Sequence, residues 1–201
     1  MIDFSIRQLA ETDRWRLRSH FKALDIEDRR LRFGIALNDA AIDRYVDLIN
    51  FDTDAVFGAK DEDLAFCALA HVAPVGEGAE LGLSVLAAAR GHGLGGALFE
   101  QAVIWARNRF FRRIHMHCLR ENRAILHIAQ AHGMIVSMEG GDSTAVLELP
   151  VPDAGTWVGE QAMHWRHLSD EVAQLQAHWI ESIWSGPNAM ASALAAIRAS
   201  R

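Results

Sequence analysis

Apolar and polar residues alternate from Ile2 to Leu9, which predicts a first strand. From Glu11 to about Leu24 the period lengthens to that of a helix, with Trp15, Leu17 and Phe21 recurring at helical spacing. The charged stretch IEDRRLRF follows and carries no assigned element. Asn38-Asp39 then offers a cap for a helix through AAIDRYVDLI. Ala55 to Ala59 and Leu64 to Val75 read as strands joined by the polar turn KDED. Pro74, Gly76 and Gly78 break the chain before a further strand, AELGLSVL. A glycine-rich segment opens a helix from about Leu94 to Arg109. The remaining pattern is a strand from Arg113 to Cys118, a helix from Asn122 to His132, and short strands at Met134 to Ser137 and Thr144 to Leu149.

This order predicts an α+β (mixed α/β) core over residues 1–150, followed by a helical extension over 151–201. Pro150-Val151-Pro152 marks the boundary, and beyond it Trp157, Trp165, Trp179 and Trp184 crowd together. Leu168, Val172, Leu175, Trp179 and Ile183 recur at three or four residues, an apolar stripe that covers the protein's own sheet or pairs two subunits as a homodimer. A length of 201 residues suits one domain with an appendage. The net charge of −6 argues against a nucleic-acid partner held by bulk charge. Cys67 and Cys118 both lie in apolar stretches, so a reducing, cytoplasmic setting is expected rather than a disulfide framework. The acidic start MIDFSIRQLAETD is unlike a signal peptide, and no apolar run approaches the eighteen or so residues that span a bilayer.

The chemistry concentrates in VLAAARGHGLGGALFEQAVIWA, where Gly91, Gly93, Gly95 and Gly96 precede a helix. A nucleoside-triphosphate loop needs Lys and Ser or Thr after its last glycine, but Ala97 and Leu98 stand there. A dinucleotide fingerprint matches the bare GxGxxG spacing, with Glu121 after the next strand. Its context fails, because Ala87 to Arg90 separate strand from glycines and a meander precedes them. Arg90-x-x-Gly93-x-Gly95, entered from Val85-Leu86 and opening into a helix, resembles the acyl-CoA loop of the GNAT N-acetyltransferase superfamily. Free N–H groups at a helix N-terminus bind a diphosphate without a lysine. NRAILHIAQAHGM resembles the family's later segment, with Asn122 opening a helix and Gly133 ending it.

The resemblance covers roughly residues 2–149. It implies a mostly antiparallel sheet flanked by helices, acetyl-CoA as cosubstrate, and an amine acceptor that is either a small molecule or a protein lysine. It assigns Leu83 and Val85 to the pantetheine and thioester, Arg90, Gly91, His92, Gly93, Leu94, Gly95 and Gly96 to the diphosphate, and Asn122 to the pantetheine arm. Glu80 stands where several family members, including bacterial protein lysine acetyltransferases, carry a glutamate base. His117 stands where ribosomal-protein N-terminal acetyltransferases carry a glutamate, and an imidazole can accept a proton there. The family's usual acid, a tyrosine seven residues after the asparagine, is replaced by Ala129. That departure keeps a second reading open: a CoA-binding sensor or interaction module without catalysis. His115 and His117 share a strand face but Cys118 does not, so no metal site is expected. DRRLRFG followed by NFDTDAVFGA resembles the substrate side of acetyltransferases linked to protein lysine acetylation. Asp39, Asp43, Asp47, Asp52 and Asp54 suit a cationic acceptor or form a solvated face.

Overall fold

A computed structural model describes residues 5–60, 65–153 and 155–161. The expected apolar stripe from Leu168 to Ile183 therefore lies outside the described residues, which include a helical segment at 155–161. Seven strands form one sheet: β1 (Ile6–Gln8), β2 (Ala55–Lys60), β3 (Phe66–Val75), β4 (Gly78–Val85), β5 (Arg113–Leu119), β6 (Ile135–Glu139) and β7 (Asp142–Glu148). Their spatial order is β1-β2-β3-β4-β5-β7-β6. Every neighbouring pair is antiparallel except β4 and β5.

Helices cover both faces. On one lie α1 (Arg14–Ala23), α2 (Ile26–Phe33) and α3 (Asp39–Leu48), with Leu17, Phe21, Ile42 and Val46 packed on Val56 and Leu69 of the sheet. On the other lie α4 (Leu94–Asn108) and α5 (Arg123–Ala131), with Leu98, Phe99 and Ala129 packed on Leu81, Ile114 and Met116. The alternation of β3 and β4 explains this division, since successive side chains feed opposite layers.

Most predicted elements form within a residue or two of their expected ends. Two expectations change. Trp15 is exposed at 59% although Leu17 and Phe21 are buried, so the apolar stripe of α1 begins at Leu17. The unassigned stretch IEDRRLRF is the helix α2. Asp25 caps it by accepting from the Asp28 N–H at 2.7 Å, and Gly34 ends it with φ of +78°. None of its residues is fully buried, so its sequence lacks the apolar stripe that reveals a helix.

The start of the extension is tied to α4. Arg107 donates to the Val151 carbonyl and the Asp153 carboxylate, each at 3.0 Å, and Arg109 pairs with Glu160.

Candidate active site

The parallel pairing of β4 with β5 runs only from Gly78–Arg113 to Glu80–His115. Beyond that point the strands part, and β4 keeps only β3 as a neighbour through Val85. Leu86 donates its N–H to the Cys67 carbonyl of β3 at 2.8 Å. Strand alternation therefore turns the N–H groups of Val85 and Leu83 the other way, into the opening.

At the end of β4 a short 3-10 turn, Ala87–Ala89, carries the chain into the glycine loop. Gly91 and Gly93 adopt φ of +81° and +79°, a region in which a side chain is strained. Gly93 is the N-cap of α4 and supplies no side-chain cap. Ala97 makes its N–H bond to the Gly93 carbonyl at 3.0 Å, so the N–H groups of Leu94, Gly95 and Gly96 precede the helix's own ladder. They face a groove of about 450 Å³ walled by Leu83, Ser84 and Val85, by Arg90, Gly91 and Gly93–Gly96, and by Asn122, Ile125 and Ile128. Bare amides, a positive helix end and an apolar channel at the strand opening together fit a phosphorylated cofactor with a long arm.

Three expected contacts take a particular form. Arg90 reaches back, donating from Nε to the Val85 carbonyl at 3.1 Å and pairing with Asp28 of α2 at 2.6 Å. His92 does not line the groove, and its Nδ1–H donates to the Ala89 carbonyl at 3.3 Å. Asn122 caps α5 by accepting from the Ile125 N–H and donates to the Leu31 carbonyl of α2, each at 3.2 Å, so it braces the groove as well as lining it.

On the α1–α3 side of the opening lies a second, larger cavity of about 1050 Å³. Glu80 and His117 both line it. Glu80 is paired with His115 across the two strands, and His117 is two residues further along, so all three occupy one sheet face. His117 is exposed, and its Nδ1 lies 3.2 Å from Thr144 Oγ1. Cys118 is buried, which together with Asp142 pushes its thiol above the ordinary range. No group of three His, Cys, Asp or Glu among the described residues is placed to hold a metal ion. Ala129 is completely buried, so no acid reaches the groove from that position.

Three side chains lining this cavity, Arg32, Tyr45 and His71, received no role in the sequence analysis. Arg32 donates to the Tyr45 hydroxyl at 3.0 Å, and that hydroxyl donates to His71 Nδ1 at 2.7 Å. His71 Nε2–H faces Asp54 at 3.1 Å. Burial, with help from Arg32, holds the His71 imidazole below its ordinary range despite Asp54. Arg32 also lines the groove, and among the described residues it is the one that lines both spaces. The aspartates expected to attract a cation are largely committed elsewhere: Asp39 to Arg29, Asp43 to Lys22, Asp47 to Arg18 and Asp54 to His71.

Residues 13–134 match the sequence model of the acetyltransferase (GNAT) family, and the chain belongs to that family. GNAT acetyltransferases use acetyl-CoA, and the groove described above fits it. The fold resembles that of the GNAT domain of PAT from S. lividans, with 22% identity, a TM-score of 0.63, and 72% of this chain covering 89% of that one. Ribosomal-protein-alanine N-acetyltransferase from Brucella melitensis is similar at 18% identity and a TM-score of 0.57, over 72% of this chain and 99% of that one. The Salmonella typhimurium protein yncA, solved with its cofactor acetyl-CoA, is similar at 15% identity and a TM-score of 0.56, over 76% of this chain and 99% of that one. No protein of curated function matches the sequence. Among the described residues no helix is long and apolar enough to cross a membrane.

Proposed function

We propose that the chain is an acetyl-CoA-dependent N-acetyltransferase that moves an acetyl group to a primary amine, a small molecule or a protein lysine, by direct attack on the thioester. The observation that carries this reading is the meeting of two spaces at the β4–β5 opening, a groove with bare amides and a cavity with proton-accepting side chains. Residues 1–150 carry the chemistry and 151–201 are an extension of it. Two buried cysteines in apolar surroundings suit a reducing compartment, and we place the enzyme in the cytoplasm.

The cosubstrate supplies an acetyl carbon activated by sulfur. The chain's residues do the rest. The amides of Leu94, Gly95 and Gly96, with Gly91, Gly93 and Arg90, hold the diphosphate. The outward N–H groups of Leu83 and Val85 hold the arm and the carbonyl oxygen as charge gathers there. Glu80 removes a proton from the acceptor ammonium, with His117 as a second acceptor in the same cavity. The new N–C bond replaces the C–S bond, and the thiolate takes its proton from solvent because Ala129 offers none.

Calorimetry with CoA and acetyl transfer to an amine panel test the reading. Glu80→Gln and His117→Ala should each lower kcat/KM about a hundredfold while CoA affinity is unchanged. Full turnover in both variants removes these assignments. The buried Ala129 favours a second reading, a silent CoA sensor. It predicts CoA uptake with no transfer to any amine.

A further inference from the structure

Arg32 differs from the other arginines and the lysine of α1 and α2. Arg14, Arg16, Arg18 and Lys22 of α1, and Arg29 and Arg30 of α2, each pair with an Asp or Glu. Arg32 has no carboxylate within ion-pair distance among the described residues. Its guanidinium donates to the Tyr45 hydroxyl, and its Nε is buried without a partner. It is nonetheless held firmly in place. Phe33, Tyr45 and Phe21 surround it, with ring centres 4.9, 5.8 and 5.9 Å from Cζ. It lies directly over Gly82, where any Cβ would overlap the guanidinium. The Asp54–His71–Tyr45 chain gives the phenol one direction, so its proton goes to His71 and its lone pair faces Arg32.

A half-buried guanidinium that lines a cavity with no counter-charge in reach among the described residues is stabilised by an anion that binds it. This one stands where the acceptor cavity meets the cofactor groove. The same cavity carries Glu80, Glu139 and Asp142 on other walls. Gly82 and Glu80 are alternate residues on β4, about 7 Å apart along a strand. A carboxylate on Arg32 and an ammonium directed at Glu80 span that interval when both belong to one small molecule.

We propose that the acceptor is a small amine with a carboxylate on the neighbouring carbon, a free α-amino acid, and that Arg32 binds this carboxylate. The proposal rests on the N-acetyltransferase reading and narrows its substrate class. A guanidinium matches a carboxylate through two parallel N–H donors, which a lysine cannot reproduce.

The experiment compares matched acceptors: L-methionine, L-phenylalanine and L-glutamate against their α-carboxamides. Acetyl transfer and calorimetric binding to the full chain are measured for wild type, Arg32→Gln, Arg32→Lys and Gly82→Ala. At least one acid should be used about ten- to a hundredfold better than its amide, the range of a charge-assisted hydrogen bond. Arg32→Gln should raise KM for that acid by a similar factor and abolish its binding heat, so that the preference for acid over amide falls to near unity. Arg32→Lys should recover only part of the loss. Gly82→Ala, which displaces the guanidinium without removing its charge, should reproduce the KM increase even if Arg32→Gln folds poorly. Equal use of acid and amide overturns the proposal, as does an equal loss for both in Arg32→Gln, which would place Arg32 on the thioester. Absence of binding and transfer for all three acids overturns it too. Failure to bind CoA is a separate result that removes the acetyltransferase reading itself, while the amino-acid titrations still judge Arg32.

Discussion

His20 makes the stability of this protein depend on pH in a way that can be calculated beforehand. It lies on α1, 2% exposed, with Nδ1 2.8 Å from the Phe66 carbonyl and Nε2 2.8 Å from Ser84 Oγ. A carbonyl can only accept, so Nδ1 carries the proton and Nε2 accepts from the Ser84 hydroxyl. Burial, reinforced by the charge of Arg32, lowers the pKa from 6.5 to about 4, although the bond to Phe66 opposes this. The unfolded chain therefore binds a proton below about pH 6.5 that the folded chain refuses until about pH 4. Stability is full above the upper value, falls as pH drops between the two, and is level in this respect below the lower one. At about 1.4 kcal/mol per pH unit, the whole interval amounts to about 3 kcal/mol. Urea unfolding at about pH 7 and about pH 4.5 should show wild type losing about 2 to 3 kcal/mol more than His20→Gln. The glutamine amide can donate to Phe66 and accept from Ser84 but does not titrate, and the other groups cancel between the two proteins. Equal losses would refute the reasoning, as would an imidazole that titrates near 6.5 by NMR. Because Ser84 sits between Leu83 and Val85, CoA affinity should weaken in wild type but not in His20→Gln only as pH falls through about 4, where the folded imidazole takes up its proton.

Two substitutions test the glycine loop. Gly93→Ala places a side chain at φ of +79° and should cost about 1 kcal/mol of stability, with weaker CoA binding because the first amides of α4 shift. Denaturation together with calorimetry would show both. Arg90→Ala removes an ion pair whose arginine is half exposed, so unfolding should change by less than about 1 kcal/mol. CoA affinity should fall and become less sensitive to salt, and a salt-insensitive wild type would argue against a diphosphate held there.

The glycine loop and the strand–helix order could be read from the chain because their causes are local. Positive φ, a bare helix start and a switch from strand to helix period are set by neighbouring residues. Asn38, Asn122 and Gly133 declared helix ends for the same reason. The helix α2 stayed hidden because it buries no residue completely. Its hold comes from the Asp25 cap and from arginines whose partners lie in other elements, such as Asp39 and Glu121. Glu80 and His117 could be placed on strands by pattern and resemblance, but only the parallel β4–β5 pairing puts them on one face of one cavity. Arg32, Tyr45, His71 and Asp54 come from α2, α3, β3 and the turn before β2, so no spacing along the chain relates them. The packing of α1, α2 and α3 on the sheet brings them together, and leaves Arg32 half-buried with no carboxylate in reach among the described residues. Local sequence sets backbone conformation, whereas a side chain's counter-charge and its separation from water depend on whatever the finished fold lays beside it.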